Sequence, residues 1–243
     1  MSPLPQLSLI LDCLNLGTIT IEGQFMWGSN YTFLCHVEHQ ENTIQAVYKP
    51  VRGERPLWDF PSETLSGREV AAFLISRAGG WDFVPPTVYR QEAPAGPGSL
   101  QLHIDHNPEY HYFNFTPEDK SRLRPIALFD AVINNTDRKG GHILKDPDDK
   151  LWLIDHGVCF HTEPKLRTVI WDFAGQPFSS EAASRLKTLK TGLSSGTALR
   201  EELDKYLSLR EIQAMCARID QLLDANAYPE PGSERYAIPW PPV

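Results

Sequence analysis

Cysteine is scarce in this chain, and what there is stands apart. Cys13, Cys35, Cys159 and Cys216 show no C-x-x-C spacing, which excludes a zinc ribbon and argues against a disulfide framework, so a reducing, cytoplasmic setting is expected. No apolar run approaches the roughly 20 residues that a spanning helix requires, and no integral membrane contact is expected. Met1–Leu16 carries no early Lys or Arg and no small-residue cleavage pattern, and does not read as a secretory signal. Both G-x-G-x-x-G and G-x-x-x-x-G-K-[ST] are missing, so neither kind of glycine loop cradles a phosphate here. The net charge of -8 argues against a broad nucleic-acid footprint and mildly against docking on an anionic membrane.

What is present is ordinary globular material. The chain has 243 residues, 41% hydrophobic and 22% charged, which suits one domain of two lobes or two small domains packed together. Leu7–Leu14 reads as a short helix or strand. Thr18–Ile21, Tyr31–Val37 and Thr43–Tyr48 are rich in β-branched and aromatic residues, with short polar breaks between them, and are expected to form three sequential antiparallel strands. Ser66–Ala78 has helical spacing and stops at Gly79-Gly80. Ser66 followed by Glu69 matches a capping box, which would give that glutamate a structural role. Val84–Arg90 and Ser99–Ile104 complete a small antiparallel sheet with one inserted helix.

From Pro117 the pattern turns helical. Glu118–Asn134 is apolar enough to be buried, with Pro125 splitting or restarting it. Ile143-Leu144 and Leu151–Ile154 flank Asp146-Pro147-Asp148-Asp149, a strong hairpin signal. Ser180–Leu193 and Ala198–Leu223 are amphipathic and helical. The Pro-rich end, Tyr228–Val243, is expected to lie extended on the surface, pinned by Ile238 and Trp240.

The hairpin carries the main inference. Its first and last residues must face one another, which brings His142 near Asp155, while the preceding loop delivers Asp137 and Arg138 to the same edge. Asp137, His142 and Asp155 together can hold divalent cations and orient a hydroxyl. Either aspartate alone would more often cap a helix or brace a turn; it is their convergence that points to chemistry. His103, Asp105, His106 and His111 suggest a metal-dependent hydrolase, but they lie in a polar stretch without H-E-x-x-H, where solvated histidines are common. Cys159 reads as a buried thiol, and Lys165 and Arg167 either meet an anionic substrate or face water.

Asn135-Thr136-Asp137-Arg138, the hairpin, and Ile154-Asp155-His156-Gly157 resemble the catalytic and metal loops of the phosphatidylinositol 3-/4-kinase-like family, including its bacterial branch, and the layout of HipA-type kinases. The likeness covers most of residues 17 to 225. It implies an α+β, two-lobed protein-kinase-like fold, with a sheet-and-helix N-lobe over residues 1–104. A mainly helical C-lobe over 105–243 would carry the catalytic and metal loops in 134–157. It also implies ATP as phosphoryl donor, magnesium or manganese as cofactor, and a hydroxyl acceptor on a protein, lipid or small molecule. By the same resemblance Asp137, with Arg138 beside it, is the catalytic aspartate, and Asp155 the metal ligand. Lys49 is the phosphate-binding lysine and Glu69 its ion-pair partner, although a lone strand-end lysine is ordinarily just solvated. Gly28 and Ser29 would cover the phosphates or simply turn a hairpin, and Leu102, His103 and Ile104 lie where the adenine edge would sit.

Two positions depart from the family pattern. His142 stands where an asparagine ligand is expected, which favours softer ions such as manganese if it binds metal. Lys139 replaces a more usual histidine. The His142 departure and the missing glycine loop keep open a pseudokinase acting as a nucleotide-binding module; an adenylyl transferase on the same fold is a further alternative.

Overall fold

The computed structural model describes residues 7–24, 31–232 and 237–243. Helix α1 (Leu7–Leu16) precedes strands β1 (Thr18–Gln24), β2 (Phe33–His39) and β3 (Asn42–Pro50); helix α2 (Leu65–Ala78) follows, then β4 (Thr87–Arg90) and β5 (Gly98–Leu102). The five strands form one antiparallel sheet in the order β1-β2-β3-β5-β4. Alternation sets its buried face: Cys35 and Val37 on β2, and Ala46 and Tyr48 on β3, point inward with Leu100 and Leu102. Ile10 and Leu14 of α1 close that face. Gly17 lets the helix end against the sheet, because a Cβ there would come within 2.6 Å of both Cys13 O and Val37 Cγ1.

The second half comprises α3 (Pro117–Ser121), α4 (Arg124–Ile133), the hairpin β6 (Ile143–Lys145)/β7 (Leu151–Leu153), α5 (Ser180–Gly192), α6 (Ala198–Leu203) and α7 (Leu209–Ala225). Pro125 falls in the first turn of α4, where its missing N–H costs nothing. The continuous helix expected over Ala198–Leu223 is broken instead. Ser208 and Glu211 form a reciprocal capping box that starts α7 afresh. The C-terminal end does lie along the surface, but Ile238 and Trp240 do not pin it: they are 52% and 89% exposed. Backbone hydrogen bonds from Gly140 N–H to Pro242 O and from Thr168 N–H to Ala237 O hold it.

The two apolar cores cut across the chain order. Ala71, Ala72, Phe73 and Ile75 of α2 pack with α4, α5 and α7, while Leu144 and Trp152 of the hairpin join the core of the sheet. Arg68 of α2, buried, reinforces this by donating to Glu211 of α7 at 2.5 Å and to Cys159 O at 2.8 Å. Each half therefore inserts an element into the other, and the cleft between them is closed at its back by packed side chains.

Candidate active site

The end of β3 projects Lys49 into the seam between the halves. Its Nζ lies 2.5 Å from Glu69 Oε1 and 2.5 Å from Asp155 Oδ1. Glu69 sits on the first turns of α2 and uses its second oxygen to accept the His156 N–H at 2.9 Å. The capping box of Ser66 and Glu69 does not form. The helix begins at Leu65, and the carboxylate of Glu54 accepts the Leu65 and Ser66 N–H groups at 3.2 and 2.8 Å, which frees Glu69 for the seam. Burial works to lower the Lys49 pKa, but the facing carboxylates outweigh it and raise it. The Lys49 charge holds Asp155 well below the usual carboxylate range against the opposing effect of burial. Both groups are therefore ionised at neutral pH.

Asp155 takes a left-handed backbone, φ 64°, sparsely populated by residues other than Gly, Asn and Asp. Half of its side-chain surface stays open to the cleft. The hairpin register, Ile143 opposite Leu153, puts His142 beside it, with Nε2 3.2 Å from Asp155 Oδ2. Burial depresses the His142 pKa to about 4 despite the neighbouring carboxylate, so the imidazole is neutral. Its Nδ1 is buried without a hydrogen-bond partner. A neutral ring nitrogen beside a carboxylate oxygen is a donor set that a divalent ion accepts.

Asp137 lies on the loop after α4. Its N–H donates to Asn135 Oδ1 at 2.9 Å, and Asn135 donates in turn to Asp130. The Asp137 carboxylate meets Lys139 Nζ at 3.7 Å. Burial raises its pKa to about 6; Asp155 adds to the rise, and Lys139, Arg167 and Arg138 oppose it. Arg138 reaches the opposite way. Fully buried, it pairs with Asp130, donates to His142 O and Ile154 O at 3.2 and 2.9 Å, and lies 2.8 Å from His156 Nε2. One guanidinium thus ties α4 to both ends of the hairpin. Asp130 and His156 complete this scaffold. The sequence signal for Asp130 is a lone carboxylate on an otherwise apolar helix.

The remaining candidates are placed as follows. The Leu102 and His103 N–H groups are taken by Pro86 O and Gln45 O at 2.8 and 3.0 Å, and Ile104 O lies 2.8 Å from His106 Nδ1. Gly28 and Ser29 lie outside the described residues. No group of three or more His, Cys, Asp or Glu among the described residues could hold a metal ion unaided, around His103–His111 included. Cys159 is buried, with its pKa raised by burial. Lys165 pairs with Asp59 at 2.8 Å, and Arg167 is exposed. Among the described residues no helix is long and apolar enough to cross a membrane.

A five-stranded antiparallel sheet, a helix carrying the glutamate partner of a strand lysine, and a helical half with a loop-and-hairpin site define a kinase-like fold. Solved structures of that fold agree. Hydra Fam20, in a structure with sugar, aligns over 93% of this chain and 89% of its own, with a TM-score of 0.56 and 15% identity. The Helicobacter pylori proinflammatory kinase CtkA aligns over 88% of this chain and 95% of its own, with a TM-score of 0.55 and 11% identity. At these identities the likeness is one of fold. Within this class the chain belongs to the family of Protein Rv2133c of Mycobacterium tuberculosis, to which it is 39% identical over 260 residues, covering 93% of this chain and 92% of that protein. It is also 27% identical over 199 residues to phosphatidylinositol 4-kinase gamma 4 of Oryza sativa subsp. japonica, covering 71% of this chain but 33% of the plant protein. No family model matches. None of these proteins is named as a HipA-type kinase, so the comparisons show a kinase-like fold and not that branch.

Proposed function

We propose that the protein is an ATP- and divalent-metal-dependent phosphotransferase that moves the γ-phosphoryl group to a hydroxyl acceptor. The observation that carries this reading is Lys49 held between Glu69 and Asp155, with Asp137 on the same seam in a longer contact, 3.7 Å from Lys139 Nζ. Lys49 would hold the nucleotide phosphates, oriented by Glu69. Asp155 and His142 would bind magnesium or manganese, the other positions being filled by phosphate oxygens and water. When bound, the metal supplies neutralisation of charge on the phosphate oxygens. Asp137, its pKa raised to about 6 by burial, would orient the acceptor hydroxyl and take its proton as the oxygen bonds to the γ-phosphorus. The bridging bond to the β-phosphate then breaks, and its electron pair leaves with ADP. Arg138 reaches no open space and would position the loop without touching substrate. The Leu102 and His103 N–H groups, taken by Pro86 O and Gln45 O, would not be free to meet adenine.

A second reading is a nucleotide-binding module without turnover; His142 at the position where an asparagine ligand is expected is the observation that favours it. The test is thermal shift with ATP plus magnesium or manganese, followed by transfer from γ-labelled ATP. Asp137→Ala is expected to keep the nucleotide shift and lose transfer, whereas Asp155→Ala loses both. A shift in the wild type without γ-label transfer would favour the binding module, and transfer of α-label instead would indicate AMP transfer. Absence of any nucleotide shift would sink the kinase reading altogether.

A further inference from the structure

Outside the cleft, the C-terminal segment is laid along the loops that carry the proposed chemistry. Residues 135–138 and 167–169 run side by side: Arg167 N–H donates to Asn135 O at 2.9 Å, Arg138 N–H to Arg167 O at 3.0 Å and Val169 N–H to Arg138 O at 3.1 Å. Arg138 and Thr168 form a parallel bridge. The segment adds a third line to this pair. Ala237 O accepts the Thr168 N–H at 3.0 Å and the Trp171 indole N–H at 3.1 Å, and Pro242 O accepts the Gly140 N–H at 2.7 Å. A Cβ at Gly140 would meet Pro242 O at an ordinary 3.5 Å and crowd the Phe113 ring at 3.0 Å, so the glycine makes room for Phe113 rather than for the segment.

The side chains of this segment do little to explain its place. Ile238, Trp240 and Val243 are more than half exposed, and Pro239 is the one buried residue of 237–243. Hydrophobic burial is thus confined to Pro239, and backbone hydrogen bonds supply the rest of the hold. Its carbonyls are spent on backbone donors three residues after Asp137 and on the segment paired with Arg138.

We propose that Ala237 and Pro242 are positioning residues for phosphoryl transfer, strapping the Asp137 loop to the 167–169 segment from outside. The inference rests on the phosphotransferase reading. It concerns only the acceptor side, because the segment makes no contact with Lys49 or Glu69 among the interactions described. The strap sets the height of Gly140 and Thr168, and through the short backbone path the direction of the Asp137 carboxylate.

The test uses the 243-residue chain with two substitutions, Pro239→Asp to unseat the segment and Trp171→Phe to remove one donor to Ala237. Amide hydrogen exchange at Gly140 and Thr168, nucleotide thermal shift, KM for ATP and kcat for γ-label transfer are read on each. Pro239→Asp is expected to speed exchange at both amides and to lower kcat about 10- to 100-fold, with KM and the nucleotide shift unchanged. Trp171→Phe should move the same quantities in the same direction by less. Faster exchange with kcat within twofold of wild type would overturn the proposal, as would a parallel loss of kcat, nucleotide binding and melting temperature, which marks a merely structural segment. Unchanged exchange in Pro239→Asp would overturn it at the root, since something else would then cover those amides. A wild type without any transfer sinks the phosphotransferase reading instead, and is recognised before any variant is compared.

Discussion

Replacing Asp137 by asparagine should abolish transfer while making the nucleotide-free protein more stable at neutral pH. The one ion pair of the Asp137 carboxylate among the described residues is the long one to Lys139 Nζ at 3.7 Å, and burial outweighs it and raises the pKa from 3.8 to about 6. A group whose folded pKa lies above its unfolded value binds its proton more tightly when folded. Ionisation therefore costs the folded state; the cost is absent below the unfolded value and complete above about pH 6. Taken at face value the span amounts to about 3 kcal/mol. The side chain is 36% exposed, so screening reduces this to about 1 kcal/mol, or roughly 2–4 °C in melting temperature for a chain of this size. The substitution removes the charge and leaves the backbone bond to Asn135 in place. Melting curves of wild type and Asp137→Asn near pH 4 and near pH 7.5, without nucleotide, should coincide at the lower pH and separate at the higher. Equal stability at both, or a less stable variant at neutral pH, would refute the claim that this carboxylate is held at a cost.

Two further substitutions test the neighbourhood. Asp130→Ala leaves the buried Arg138 charge without its counter-ion and should cost about 3–5 kcal/mol in urea unfolding; a loss below about 1 kcal/mol would mean that Arg138 finds another partner or water. His142→Asn exchanges an imidazole for an amide oxygen beside Asp155. It should raise the ratio of magnesium- to manganese-supported transfer, and an unchanged ratio would count against His142 as a ligand.

The sheet and the hairpin were legible because alternation and turn chemistry are local. Thr18–Ile21, Tyr31–Val37 and Thr43–Tyr48 sit within or against β1, β2 and β3, and the Asp146–Asp149 turn sets the register that brings His142 to Asp155. Other features were decided at longer range. The apolar spacing of Leu203, Leu207 and Ile212 runs through the break between α6 and α7, and only the Ser208–Glu211 pair signals the restart. Ser66 and Glu69 have capping-box spacing, yet Glu54 from the preceding loop takes the helix amides. Where the glutamate's partner lies 20 residues upstream, spacing within the helix has no access to it. The C-terminal segment shows the same limit: backbone carbonyls carry its attachment, and they have no sequence signature, whereas the aromatic and aliphatic side chains suited by type to anchor it face water.

The arrangement of the cores bears on how a nucleotide reaches Lys49. If the two halves were separate bodies, opening would be a hinge motion across a weakly packed seam. Here α2 contributes Ala71, Ala72, Phe73 and Ile75 to the helical core, the hairpin contributes Leu144 and Trp152 to the sheet core, and Arg68 is buried against Glu211. Swinging α2 away with the sheet would break the Arg68 hydrogen bonds to Glu211 and Cys159 O and expose apolar surface on both sides. Exchanging the Lys49–Asp155 contact for phosphate contacts costs far less, because Asp155 is half exposed and Lys49 retains Glu69. The less costly path is therefore local: α2 stays fixed to the helical half, Glu69 keeps its hold on the His156 amide, and the seam opens at the Asp155 side chain.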